Sequence, residues 1–359
     1  MRSARIKVED TTAVYHCMSR CVGGMWLLKE TEKEVLRKQI YQVAAFCGVE
    51  VITYTIMSNH FHVLVRVPLD QLDKEISDAE LVRRFALLYP RQPKKAECLE
   101  SLLKQGGIFA DQEREKALKR MGDVSFFMKE LKQRFTIWYN RSRAAKENGG
   151  KRRYGTVWAE RFKSLLVENS EAALQAVAAY IDLNSVRAKV VVDPKDYRWS
   201  GYGQAVGGCK QAQVGLKAIY NRVRWDATQR EYRKLLYLEA THVTKAQVKA
   251  KAGEQKAIAS YDTKQVRKVI DQGGKLSLQE VLRCRVRYMS DGAVLGSKDF
   301  VNEWFIKKKE QVAQLAKDYQ LDTSNTSTYE KRSSGARKMS GAHWGELTVF
   351  SDLKREVFG

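Results

Sequence analysis

His60 and His62 stand on either side of Phe61 in the run TIMSNHFHVLVRV, residues 55 to 67. Apolar residues alternate from Val63 to Val67, which predicts a β-strand, and side chains two apart on a strand share a face. Both imidazoles therefore point the same way. The chain has only five histidines (His16, His60, His62, His242 and His343), so two on one strand face make metal binding the first chemistry to test.

A second constellation lies in SEAALQAVAAYIDLNSVRAKV, which has helical spacing with Ser170 as the expected N-cap. Tyr180 and Asn184 are four apart and Arg187 is three further on, so a continuous helix puts all three on one face, at an angle to a buried stripe of Leu174, Val177 and Ile181. Such a trio fits two descriptions. It can supply a nucleophile, a metal ligand and a phosphate clamp, or form an exposed polar face with Tyr180 packed at its border. Cys17 and Cys21 have loose metal-ligand spacing but no second pair, which favours packing. Aromatics alternate with basic residues at Tyr15 and Arg20, at Trp158, Arg161, Phe162 and Lys163, and at Trp199 and Tyr202. These sets could stack bases and hold phosphates, or the rings could be core.

The elements that must position these residues follow from pattern. AVYHCMSRCV (13 to 22) reads as a strand, ETEKEVLRKQIYQVAAFCG as a helix ended by Gly48, and EVITYTIM and HFHVLVRV as a hairpin about Ser58-Asn59 with the histidines at the sheet's rim or surface. Residues 77 to 143 turn helical, with Pro90 and Pro93 separating the first two helices, and 140 to 155 read as a flexible basic loop. GTVWAERFKSLLVE (155 to 168) reads as another strand. The order β-α-β-β-α-β-α predicts an α+β fold: an antiparallel sheet with helices mainly on one face, of ferredoxin-like topology. The first domain is expected to span 1 to 208, with a helical insertion at about 77 to 143. Residues 209 to 359 are expected to be mostly helical, with a polar loop at about 322 to 342.

Lys and Arg number 64 against 42 acidic residues in 359, a net charge of +22 with a pI near 9.7, which favours a polyanionic partner. Six scattered cysteines argue for a reducing compartment, and no apolar stretch approaches the roughly 20 residues of a membrane helix. A cytoplasmic, nucleoid-associated location of bacterial type is the expectation.

SNHFHVLV, GTVWAERFKSLLV, AAYIDLNSVRA and YRWSGYG, in that order, resemble the single-tyrosine HUH transposases, specifically the REP-associated tyrosine transposases. The resemblance runs over about residues 10 to 205, and DGAVLGSKDFVNEWF resembles a segment of longer members. It implies the HUH fold, with Tyr180 as nucleophile and His60, His62 and Asn184 as ligands of a divalent ion, Mg²⁺ or Mn²⁺. Members of that group usually carry proline after the asparagine, where this chain has Ser185. The implied reaction is cleavage and transfer of single-stranded DNA near a REP-like hairpin through a 5′-phosphotyrosine, by a monomer or homodimer. Arg20, Arg161, Lys163 and Arg187 are the candidate DNA contacts. The alternatives are an inactive hairpin-binding regulator and a metal-dependent nuclease using water.

Overall fold

The computed structural model describes residues 6–8, 10–68, 76–146, 153–248, 275–276, 289, 292–318, 343–344 and 347–350. In chain order the elements begin with β1 (Ala13–Arg20), α1 (Glu30–Cys47), β2 (Glu50–Ile56), β3 (His60–Val67), α2 (Asp78–Leu88), α3 (Pro93–Gln105), α4 (Ile108–Leu118) and α5 (Val124–Lys146). There follow β4 (Lys163–Val167), α6 (Glu171–Asp182), α7 (Asn184–Arg187), α8 (Gly201–Val206), α9 (Lys210–Lys217) and α10 (Trp225–Val248). The last are β5 (Lys275–Leu276), β6 (Val294–Gly296), α11 (Lys298–Asp318), β7 (His343–Trp344) and β8 (Leu347–Phe350). Strands and helices mix as an α+β chain. Two compact units interleave along it: 8–162 with 194–225, and 1–7 with 163–193 and 226–359.

In the first unit β3 pairs antiparallel with both β1 and β2. One face carries Phe61, Val63 and Val65, and it is covered by α1 and by Trp158. Tyr41 of α1 meets Tyr54 edge-on at 5.8 Å, and Trp158 meets Phe61 at 5.4 Å. Helix α1 begins where Glu32 accepts from the Lys29 backbone N–H, and it ends at Gly48 in the left-handed region, where a side chain would be strained. The same Glu32 forms a buried 2.7 Å ion pair with Arg143 of α5, fixing that helix against α1.

The YRWSGYG motif closes the β2 edge. Tyr197 donates its hydroxyl to the Ile56 carbonyl, Ile56 N–H donates to Trp199, and Thr55 bridges Ser200. A Cβ at Gly201 would lie 2.1 Å from Thr53 Oγ1, and one at Gly215 of α9 would lie 2.3 Å from the Val51 carbonyl oxygen. Both glycines permit close approach rather than flexibility. The packing of α9 carries this unit past Gly208 to Trp225.

In the second unit the strand order is β4-β6-β8-β7-β5, with β4–β6 and β5–β7 parallel and β6–β8 and β7–β8 antiparallel. Glu168 accepts from Ser297 N–H at 2.7 Å and from its hydroxyl at 2.9 Å, which seats the start of α11 beside β4. Tyr232 of α10 donates to Asp182 at 2.6 Å, tying α10 to the end of α6.

Several sequence expectations change. The strand expected over 155 to 168 is formed only at Lys163–Val167. Upstream, backbone pairing shrinks to an isolated antiparallel bridge of Cys21 with Trp158, with Val22 N–H donating to Val157 and Ala159 N–H to Arg20, while the Thr156 hydroxyl exchanges hydrogen bonds with the Trp158 backbone and the Trp158 indole donates to the Lys132 carbonyl. The single helix over 170 to 190 breaks at Leu183, leaving α6 and the short α7. The helical stretch contains an additional helix, α4, set off by Gly106 and Gly107, both at positive φ. Residues 140 to 146 of the expected basic loop continue helix α5 instead. The polar segment expected at 322 to 342, and 147 to 152 of the basic loop, lie outside the described residues.

Candidate functional site

Phe61 is fully buried against Trp158, so the strand's period of two throws His60 and His62 onto the opposite face. His60 is half-buried at the start of β3, and His62 is buried rather than at the rim. Their ring centroids are 5.2 Å apart and nearly perpendicular. Arg20 lies directly opposite His60 in the β1–β3 register, hence on the same face, and is exposed.

Both rings are engaged through Nδ1. His60 Nδ1 lies 2.7 Å from Asn59 Oδ1, and because a side-chain carbonyl only accepts, Nδ1 carries the proton. Asn59 is itself oriented, since its amide nitrogen donates to the Gly24 carbonyl. His62 Nδ1 lies 2.8 Å from Nε2 of His16 on β1, and those two rings lie edge to edge, their centroids 5.0 Å apart.

Ligating histidines are generally oriented through the ring nitrogen that does not bind metal, so this arrangement fits a divalent ion at the Nε2 atoms of His60 and His62. Among the described residues no group of three or more His, Cys, Asp or Glu side chains is placed to hold a metal ion. Cys17 and Cys21 are buried and outside any disulfide, and burial pushes the Cys21 thiol up to about 12, so Cys21 does not present a thiolate.

Tyr180, Asn184, Lys163 and Arg187 belong to the second unit. Tyr180 is 6% exposed on α6, a helix buried almost all round, rather than on a polar face. Arg187 lies over its ring, and its guanidinium also donates to the Tyr180 carbonyl. Asn184 is half-buried and opens α7. Position 185 thus falls in a first helical turn, where proline and serine are both tolerated.

Arg161 and Lys163 are exposed, whereas most of the proposed stacking rings are not. Tyr15, Trp158, Phe162 and Tyr202 are core, and Trp199 is half-buried with Lys33 over its ring. His16 and Asn59 were not singled out by sequence pattern. Asn59 could have been noticed as the polar turn residue beside a histidine, but His16 meets His62 only through the diagonal of a pairing register that the sequence does not state.

Among the described residues no helix is long and apolar enough to cross a membrane. The chain matches no protein-family profile and no curated protein. Among four solved chains that match is a REP-associated tyrosine transposase bound to a REP hairpin, 15% identical, with a TM-score of 0.35 over 58% of this chain and 87% of that one. That similarity is distant.

Proposed function

We propose that this chain is a metal-dependent enzyme that nicks and transfers single-stranded DNA beside hairpins, with a ferredoxin-like HUH domain over about 1 to 208 and an accessory DNA-binding region beyond. The observation that carries the reading is the His60–His62 pair, two imidazoles on one strand face, each held through Nδ1. His60, His62 and Asn184 would hold Mg²⁺ or Mn²⁺. When bound, the ion would polarise the scissile phosphate; nitrogen donors favour Mn²⁺ and cellular abundance favours Mg²⁺.

Tyr180 is the nucleophile in this reading. A phenol of ordinary pKa about 10 is a weak nucleophile at neutral pH, so the site must assist both attack and departure. The Tyr180 oxygen bonds to phosphorus as the P–O3′ bond breaks. The phenolic proton is lost, the departing 3′ oxygen gains one, and no oxidant, reductant or ATP enters. Arg20, Arg161 and Lys163 supply exposed positive charge for the backbone, in keeping with a net charge of +22.

The near-complete burial of Tyr180 supports a second reading, a nuclease that uses water instead. One assay separates the two. Wild type incubated with hairpin-flanked single-stranded DNA and Mn²⁺ should give a covalent protein–DNA adduct that Tyr180→Phe does not form. Cleavage without an adduct would select water, and binding without cleavage across DNAs and metals would select a regulator.

A further inference from the structure

We propose that His16 is a positioning residue that holds His62 in the Nδ1–H tautomer, so that Nε2 of His62 carries the lone pair a metal requires. The inference rests on the metal-site reading above, and it assigns a task to a histidine that the reaction itself does not use.

The geometry presents a binary choice. One proton occupies the 2.8 Å contact between His16 Nε2 and His62 Nδ1. If it belongs to His62, the neutral His62 ring has a bare Nε2. If it belongs to His16, the neutral His62 ring carries its proton on Nε2 and cannot ligate there. Only the first arrangement matches His60, whose tautomer is fixed by the Asn59 carbonyl.

The two rings would then present the same atom on one face through different partners, an amide for His60 and an imidazole for His62. Position explains the contact. In the β1–β3 register His16 pairs with Leu64 and His62 with Met18, so the contact runs along the diagonal within one face, within reach of two imidazoles. His16 is buried, and its ring lies edge to edge with that of His62, the planes only 25° apart, as an in-plane hydrogen bond between two imidazoles requires.

Histidine-labelled, metal-free full-length protein tests this by two-bond ¹H–¹⁵N spectra, with Mn²⁺ affinity read by electron paramagnetic resonance. The wild type should show protonated Nδ1 and bare Nε2 for both His60 and His62. His16→Phe keeps a ring and removes the acceptor; it should move His62 toward the Nε2–H form and weaken Mn²⁺ binding by about 10- to 100-fold. His16→Gln, whose Oε1 reaches the place of Nε2, should restore the tautomer and most of the affinity.

An Nε2–H His62 in wild type overturns the proposal. Undiminished Mn²⁺ binding in His16→Phe, or failure of a folded His16→Gln to rescue, also overturns it. If His16→Phe does not fold, the wild-type spectrum and His16→Gln decide. Correct tautomers and metal affinities with no DNA cleavage would sink the enzymatic reading and leave the His16 assignment standing.

Discussion

The guanidinium of Arg187 lies 4.4 Å from the centroid of the Tyr180 ring and also donates to the carbonyl of that same residue. One arginine thus grips the backbone and the face of one tyrosine across the break between α6 and α7. A planar fork can do both at once, whereas a lysine ammonium is a point charge. Arg187→Ala should slow adduct formation by about 2- to 30-fold, corresponding to a cation–π contact of about 0.5–2 kcal/mol expressed in the barrier. Arg187→Lys should recover only part of that rate. A fall in DNA affinity equal to the fall in rate would show instead that Arg187 acts as a phosphate contact.

His60→Ala or His62→Ala should abolish metal-dependent cleavage and shift the dissociation constant for single-stranded DNA by less than about 3-fold, because phosphate contacts with the basic surface dominate affinity. Binding isotherms over a range of salt concentrations, run beside cleavage gels, check this. Parallel losses of both would contradict the division of labour.

Lys33 donates to the Tyr197 hydroxyl at 3.1 Å, and burial lowers its pKa from the ordinary 10.5. The unfolded chain therefore holds the Lys33 proton more tightly than the folded chain does. Stability from this group should rise with pH between the lowered folded value and 10.5. Tyr197, pushed above its ordinary 10.0 by burial, acts in the opposite sense once pH exceeds 10.0. Urea unfolding from pH 7 to 10 should show a positive slope that Lys33→Met reduces; identical slopes would refute the assignment.

Gly215→Ala should destabilise the chain by about 1–3 kcal/mol, because its Cβ would stand 2.3 Å from the Val51 carbonyl oxygen and 2.5 Å from that of Ile52. Backbone on both sides leaves no flexible side chain to give way. Chemical denaturation of the variant measures it, and an unchanged midpoint would mean α9 shifts freely on β2.

Strand and helix periodicity made β1, α1, β2, β3 and the shared face of His60 and His62 legible in the sequence. Each is short-range, set by alternation, turn residues and a terminating glycine. The break at Leu183 was not legible, because AAYIDLNSVRA has no glycine or proline to mark it. The choice between base platform and core for Tyr202 and Trp158, which the structure resolves as core, was open in the sequence for a related reason. Aromatic residues beside arginines look alike whether they face solvent or core, and only the fit of Tyr202 and Trp158 into particular neighbours decides. His16 was hidden at a further level, since its partner is fixed by which residues of β1 and β3 lie opposite one another.

The seal on the β2 edge carries a consequence for synthesis. Tyr197 reaches its acceptor, Ile56, across 141 positions of chain. At about 5–20 residues per second, the strand leaves the ribosome on the order of ten seconds before its cover exists. During that interval the nascent chain presents bare peptide groups along β2, the kind of template on which other chains can pair. Slowed translation between these two segments, or a chain cut short before Tyr197, should therefore increase aggregation during synthesis.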